Sequence, residues 1–369
     1  MIDLTGHPFF QTWKDPGTGA LSWVLVKHAA PIQFPFYFTN HCITRNGKYM
    51  YFYAAFPPTK GLFLGRVALD PSNPEITWYP QAMFTEASPM IAPDDSGVYF
   101  MSREELCFMD MEGRVRIVGT VPAEYIANRY FYRGSTHLSM SCDGKWFFLD
   151  GEVGNVCFAA LMSTDTGEFK LLHEFSFCCD HGMFSPVNPT QILLPRDWRR
   201  DRITGRYEYM EQRLWVTDID QTYYRNLRPD VWEGHNGTDT AHEWWSNDGL
   251  VCYVDYMQGV FECNPDTLET THVWKRPVCH AHCNQDRSIF CADQTPYAWN
   301  DRPLEILLYD RRNDIEKRIV SAMPKPCRPR SPYHLDPHPH FSPDGSVVVY
   351  MTTVLGGIDV AVSPISQFL

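Results

Sequence analysis

The apolar positions of this chain fall into short strand-length runs, each entered through a polar turn and left through another. Near the C-terminus the run Val347, Val348, Val349 and Tyr350 follows Phe341-Ser-Pro-Asp-Gly345, with His338 just ahead of it. The same order recurs along the chain: a frame residue, three residues, Ser or a stand-in, then a polar turn opening into an apolar strand. His280 precedes Asn284 and Asp286, His242 precedes Ser246-Asn-Asp-Gly249, and His181 precedes Ser185-Pro186. His137 precedes Ser141-Cys-Asp-Gly144, Ser88 precedes Ala92-Pro-Asp94, and Asn40 precedes Thr44-Arg-Asn-Gly47. Each copy is followed by a second half: a strand, an Asp- or Asn-centred turn and another strand. Val67-Ala-Leu-Asp-Pro71, Leu214-Trp-Val-Thr-Asp218 and Leu307-Leu-Tyr-Asp310 are examples.

Two hairpins per copy, with frame residues 48, 49, 44, 61, 38 and 58 positions apart, are what a four-stranded propeller blade requires. The pattern predicts an all-β protein, a seven-bladed β-propeller of four-stranded antiparallel blades, in a single domain over residues 1–369. Asp15-Pro-Gly-Thr-Gly19 and the run Leu21-Ser-Trp-Val-Leu-Val26 form the turn and outer strand of a blade whose earlier strands are missing, while the last blade stops after residues 360–365 without such a strand. Residues 20–26 are therefore expected to pair beside residues 358–364, closing the ring so that no long sheet edge stays open.

Composition narrows the function. The formal net charge of -12 argues against a nucleic-acid surface or an anionic membrane. No early segment runs from basic to apolar to small residues as a signal peptide does, and no apolar run approaches a membrane span. The 12 cysteines, including adjacent Cys178 and Cys179 and with no CxxC pair, favour reduced thiols in a cytoplasm. An aromatic content of 14% suits strand packing and a sugar-stacking surface. Phosphate-loop, Gly-x-Ser-x-Gly and dinucleotide motifs are all missing from the sequence, which removes the usual signs of kinase, esterase and dehydrogenase chemistry.

The histidines carry the candidate chemistry. Residues two apart on a strand face the same way, so His338 and His340 are placed to reach one ion, with His280 of the preceding blade closing a three-nitrogen face. His334 or Asp336 could complete the set. Imidazole donors suit Mn, Fe, Ni or Zn rather than Ca. The long departures from even spacing, residues 195–212, 225–241 and 322–337, are the expected functional loops. The first is basic and aromatic. Its arginines read as a solvated hairpin, with Arg199 and Arg200 kept as candidate substrate contacts and Arg213 the one aimed inward. His137, His181 and Asn40 hold frame positions from which they could bind sugar hydroxyls or a second carboxylate.

Phe36-Tyr-Phe-Thr-Asn40 after Asp15-Pro-Gly-Thr-Gly19, then Arg213-Leu-Trp-Val-Thr-Asp218, His242-Glu-Trp-Trp245, Cys279-His280 and His338-Pro-His340-Phe-Ser-Pro-Asp-Gly345 occur in this order. Together they resemble the oligogalacturonate lyases, metal-dependent β-propeller polysaccharide lyases, and the resemblance spans the whole chain. It implies a divalent ion, Mn²⁺, held by histidines, and cytoplasmic β-elimination of short pectin-derived uronate oligosaccharides to a 4,5-unsaturated product. It places the metal histidines at His280, His338 and His340, the catalytic histidine at His242 and the catalytic arginine at Arg213. Where the family has a metal-binding glutamine before its His-Pro-His motif, this chain has Leu335, flanked by His334 and Asp336. That departure leaves open a lyase or hydrolase for another acidic sugar. The remaining alternative is a non-catalytic scaffold of the TolB or WD-repeat kind, which has no need of five histidines at one frame position.

Overall fold

The computed structural model describes residues 2–84, 87–201, 203–209, 212–228, 240–294, 303–325 and 332–369. The repeated polar turn is a hydrogen-bonding device. In the last blade Ser342 Oγ donates to Asp344 Oδ1 at 2.7 Å and accepts the Val347 N–H at 3.2 Å, so one hydroxyl fixes the turn and starts the next strand. Gly345, at φ 69°, supplies the left-handed residue the turn needs. Ser141 with Asp143 and Ser246 with Asp248 repeat this at 2.7 Å each. Asn284 substitutes because its Oδ1 accepts the Ile289 N–H at 3.0 Å.

Among the described residues the strands form seven blade sheets of four or five strands besides one two-stranded hairpin, and the fold is the seven-bladed β-propeller that the repeats predict. By internal contacts the chain divides into two compact units, Met1–Met83 with Ile91–Gly97 and Val278–Leu369, and Phe84–Met90 with Val98–Pro277.

The first unit holds three blades. One runs Ile32–Phe34, Tyr49–Ala55, Leu62–Ala68 and Ile76–Phe84, and another Ala281–Cys283, Ile289–Gln294, Leu304–Asp310 and Ile315–Met323. The third orders His340–Phe341, Val347–Thr352 and Asp359–Pro364, then adds Leu21–Leu25 from the other end of the chain. Trp23 pairs with Val362 and Val24 with Ala361, as the truncated half-copies at the two ends predict. A fifth strand, Phe10–Lys14, lies outside it, which the four-stranded template did not foresee. The fully buried Val24, Ile306, Val348, Tyr350 and Ala361 form one core between these last two blades.

The second unit carries the blade Trp146–Val153, Val156–Ser163 and Phe169–Phe175, with Ser139–Met140 and the short Phe131–Arg133 both pairing to its Trp146–Val153 strand. It also carries Met183–Phe184, Gln191–Leu193, Trp215–Asp218 and Tyr224–Asn226, then Thr240–Trp245, Val251–Asp255, Gly259–Cys263 and Thr270–Trp274. The remaining blade is Met90–Ile91, Gly97–Ser102, Glu105–Asp110 and Val115–Thr120. The basic insertion makes a separate two-stranded hairpin, Trp198–Arg200 against Tyr207–Tyr209. Of the three expected functional loops, Arg202, Met210, Glu211 and residues 229–239 and 326–331 lie outside the described residues. Among the described residues no helix is long and apolar enough to cross a membrane.

Candidate functional site

In the first unit, four side chains converge. His280, His334, Asp336 and His338 each offer one ligand atom, and these atoms all lie within 4.8 Å of one another. Local structure explains why. His280 immediately precedes the strand Ala281–Cys283, and the Asp293 carboxylate on the neighbouring strand grips it twice, accepting its backbone N–H and its Nδ1–H at 2.9 Å each. The same carboxylate accepts the His338 N–H at 3.3 Å. One buried aspartate thus holds both histidines and fixes the His280 tautomer with its lone pair on Nε2, the carboxylate–histidine arrangement common behind metal ligands. Complete burial pushes the Asp293 carboxyl well above its usual range, while the His280 N–H pulls the other way and Asp336 adds to the rise. His334 Nε2 meets Asp336 Oδ2 at 2.6 Å. Tyr37, from the Phe36-Tyr-Phe-Thr-Asn40 motif, lays its ring 4.7 Å from that of His338 and 6.0 Å from that of His280. Leu335 is buried, and its two polar neighbours supply the donors.

His340 is a correction to the expected trio. Its Nδ1 donates to the His338 carbonyl at 3.0 Å and its Nε2 faces Cys42 Sγ at 3.2 Å, outside the four-residue cluster. The alternation argument fails because the strand begins only at His340, and His338 lies before it with a left-handed φ of 47°. Burial pushes the His340 imidazole down to about 4, and burial with the adjacent His41 and His340 holds His282 well below its ordinary value. Both imidazoles are thus held toward the neutral form.

The second unit builds a charged network around Arg213. Its Nε and Nη2 donate to Glu243 at 3.1 and 3.0 Å, Nη2 also reaches Asp180 at 3.3 Å, and Nη1 donates to Asp197. Arg213 is aimed inward, as expected, but its guanidinium holds three carboxylates of the chain itself. Burial raises the Glu243 carboxyl, yet Arg213 and then His181 overcome it, and the group ends well below the ordinary range. Burial pushes Asp197 up to about 6 against the pull of Arg213, with Asp180 adding to the rise.

A register shift between Ala241 and Trp244 gives the first strand of this blade a bulge, with His242 at φ 50°. The bulge sends Glu243 into the core and leaves His242 half-buried, with Tyr256 Oη 3.4 Å from both ring nitrogens. The rings of His181 and His242 stack at 6.4 Å, and those of His137 and His181 stand 4.7 Å apart.

The other candidates are less engaged. Asn40 is buried, and its N–H donates to the Tyr37 carbonyl at 2.9 Å, which shapes the turn presenting Tyr37. Arg199 lies exposed on the hairpin and pairs with Glu208 at 2.6 Å, the solvated reading of that insertion. The Arg200 side chain lies outside the described residues. The sequence held an unused signal for Asp293: an aspartate follows a frame histidine by 13 positions three times, as 150 − 137, 255 − 242 and 293 − 280.

A comparison with curated proteins finds the oligogalacturonide lyase of Pectobacterium atrosepticum, 22% identical over an alignment of 215 residues that covers 52% of this chain and 51% of that protein. The chain thus spans about half the length of the curated relative it matches. Among solved structures, an oligogalacturonate lyase in complex with manganese aligns over 96% of both chains with a TM-score of 0.76 and 19% identity. The oligogalacturonate lyase of Vibrio parahaemolyticus aligns over 96% of both, at a TM-score of 0.73 and 18% identity. No family model matches the chain. The resemblance carried by the motifs therefore meets the same group of proteins in sequence and in fold.

Proposed function

We propose that this chain is a lyase that cleaves short galacturonate-type oligosaccharides by metal-assisted β-elimination, leaving a 4,5-unsaturated uronate. The observation that carries the reading is the convergence of His280, His334, Asp336 and His338 on one point, with Asp293 holding two of them from behind. Three imidazoles and a carboxylate fit a divalent first-row ion such as Mn²⁺, the metal found with the solved relative. Such an ion would neutralise the substrate carboxylate and so acidify the carbon-bound proton beside it.

The chain's own residues supply the remainder. Asp293 orients His280 and restrains His338, so the donors are pre-set before substrate arrives. His242 is the assigned proton acceptor, with Tyr256 against its ring to hold its orientation. Arg213 acts through Glu243, whose backbone neighbour is His242, and fixes the bulge on which the base sits. Among the described residues no cysteine is in a disulfide, which supports a reducing compartment such as the cytoplasm.

The test is a panel of acidic oligosaccharides incubated with and without added Mn²⁺, followed by the ultraviolet absorbance of the unsaturated product. Mn²⁺-dependent absorbance from oligogalacturonate is the expected result. Cleavage without absorbance would replace elimination by hydrolysis, and a protein inert on every acidic sugar would return the chain to the scaffold alternative.

A further inference from the structure

The four converging donors of the first unit are not equivalent. His280, Asp336 and His338 are 1%, 3% and 3% exposed, whereas the His334 side chain is 53% exposed. The difference follows from what holds each group. Asp293, on the strand Ile289–Gln294, clamps His280 and His338. Asp336 lies between the buried Leu335 and Pro337, and the Pro337 carbonyl accepts the Met351 N–H at 2.8 Å, which pins that stretch to the strand Val347–Thr352. His334 sits in the irregular run ahead of His340, and its ring joins the group through the 2.6 Å bond to Asp336. Its centroid stands 4.9 Å from that of His338 and 6.3 Å from that of His280.

The buried three are two imidazoles and one carboxylate, a set that holds a divalent first-row ion on one face and leaves its other positions to exchangeable ligands. A buried donor that left an ion would stay in the core with its lone pair unmet, at the cost of an unsatisfied polar group. His334 is spared that cost, because water reaches its ring. A carboxylate has two oxygens, so Asp336 can face an ion with one and keep His334 beside it with the other. A released imidazole would therefore stay within reach of the position it left.

We propose that His334 is an exchangeable ligand: it caps the ion at rest and yields that position to a carboxylate of the oligosaccharide, while His280, Asp336 and His338 stay bound. The inference rests on the lyase reading for the identity of the incoming group. It gives the departure at Leu335 a use, since the buried polar neighbour supplies a fixed donor and the exposed one a removable cap. The cap lowers the affinity for every incoming anion and so shields the ion from stray ones.

His334→Ala tests this with Mn²⁺ and with galacturonate, a single uronate that has no linkage to cleave; at an exposed position the substitution should leave the fold intact. The variant should still bind about one Mn²⁺ per chain with a Kd raised less than about tenfold, whereas His338→Ala should abolish binding. Water-proton relaxation by the bound Mn²⁺ should increase in the variant, because a water takes the position that His334 held. Galacturonate should bind the loaded variant about threefold or more tighter than the wild type, since no imidazole has to leave first. At saturation it should bring the two proteins to the same relaxation, having displaced the imidazole from one and the water from the other. A variant that loses Mn²⁺ as completely as His338→Ala, relaxation indifferent to the substitution, or weaker galacturonate binding by the variant would each overturn the exchange. None of these readouts requires cleavage. Exchange in a protein that forms no unsaturated product from oligogalacturonate would support the proposal and refute the lyase reading, and product formation with relaxation unmoved by His334→Ala would do the reverse.

Discussion

At the scale of single residues, the two histidine sites show how neighbours decide what the same side chain can do. Asp293 leaves the His280 lone pair on Nε2, Asp180 and Glu243 hold the His181 pKa above its ordinary value against burial, and His340 is buried against a carbonyl and a thiol. Glu243 is the residue whose loss should be felt most in the second unit. Glu243→Gln leaves Arg213 buried with half its fork unmet, and breaking a buried pair in this way costs about 3–5 kcal/mol, measured by denaturant unfolding at neutral pH. The Glu243 pKa is depressed in the folded state, so its stabilisation is present above the ordinary value of 4.5 and is lost as pH falls below it. The penalty of the variant should therefore shrink in acid; a gap that stays constant down to the acid limit would contradict the ion-pair account. The frame histidines were legible because they recur, and Asp293 was legible in principle through its 13-residue spacing. His340 was misplaced because strand alternation was applied before the strand begins, and Glu243 was missed because nothing in the sequence announces a bulge.

At the scale of elements, the turns carry most of the fold's information. A hydroxyl, an Asp and a Gly at fixed offsets set a hairpin through bonds that the sequence alone suggests, so the blades were readable. The joining of the two ends was readable for the complementary reason, that each end supplies the strand the other lacks. The outermost strand Phe10–Lys14 was not, because its pattern is largely exposed and carries little apolar signal. Leu21–Leu25 covers the edge of Asp359–Pro364 and buries Val24 in the core. Removing residues 1–26 should bare that edge, and size-exclusion chromatography with thermal melting should show association or loss of a sharp transition. A truncated protein that remains monomeric and melts like the parent would contradict the closure.

At the scale of the whole molecule, a propeller is a common fold with many functions, so its recognition fixes no chemistry. The functional reading stands on the four donors of the first unit, and the departure at Leu335 is met there by His334 and Asp336. The most direct measurement is metal content paired with product absorbance in wild type and His338→Ala. The wild type should bind about one Mn²⁺ per chain and lose melting temperature on chelation, because an ion that binds only the folded state stabilises it. His338→Ala should lose both the ion and the 4,5-unsaturated product. A His338→Ala protein with unchanged metal and full activity, or a wild type whose cleavage and melting ignore chelator and Mn²⁺ alike, would contradict the account.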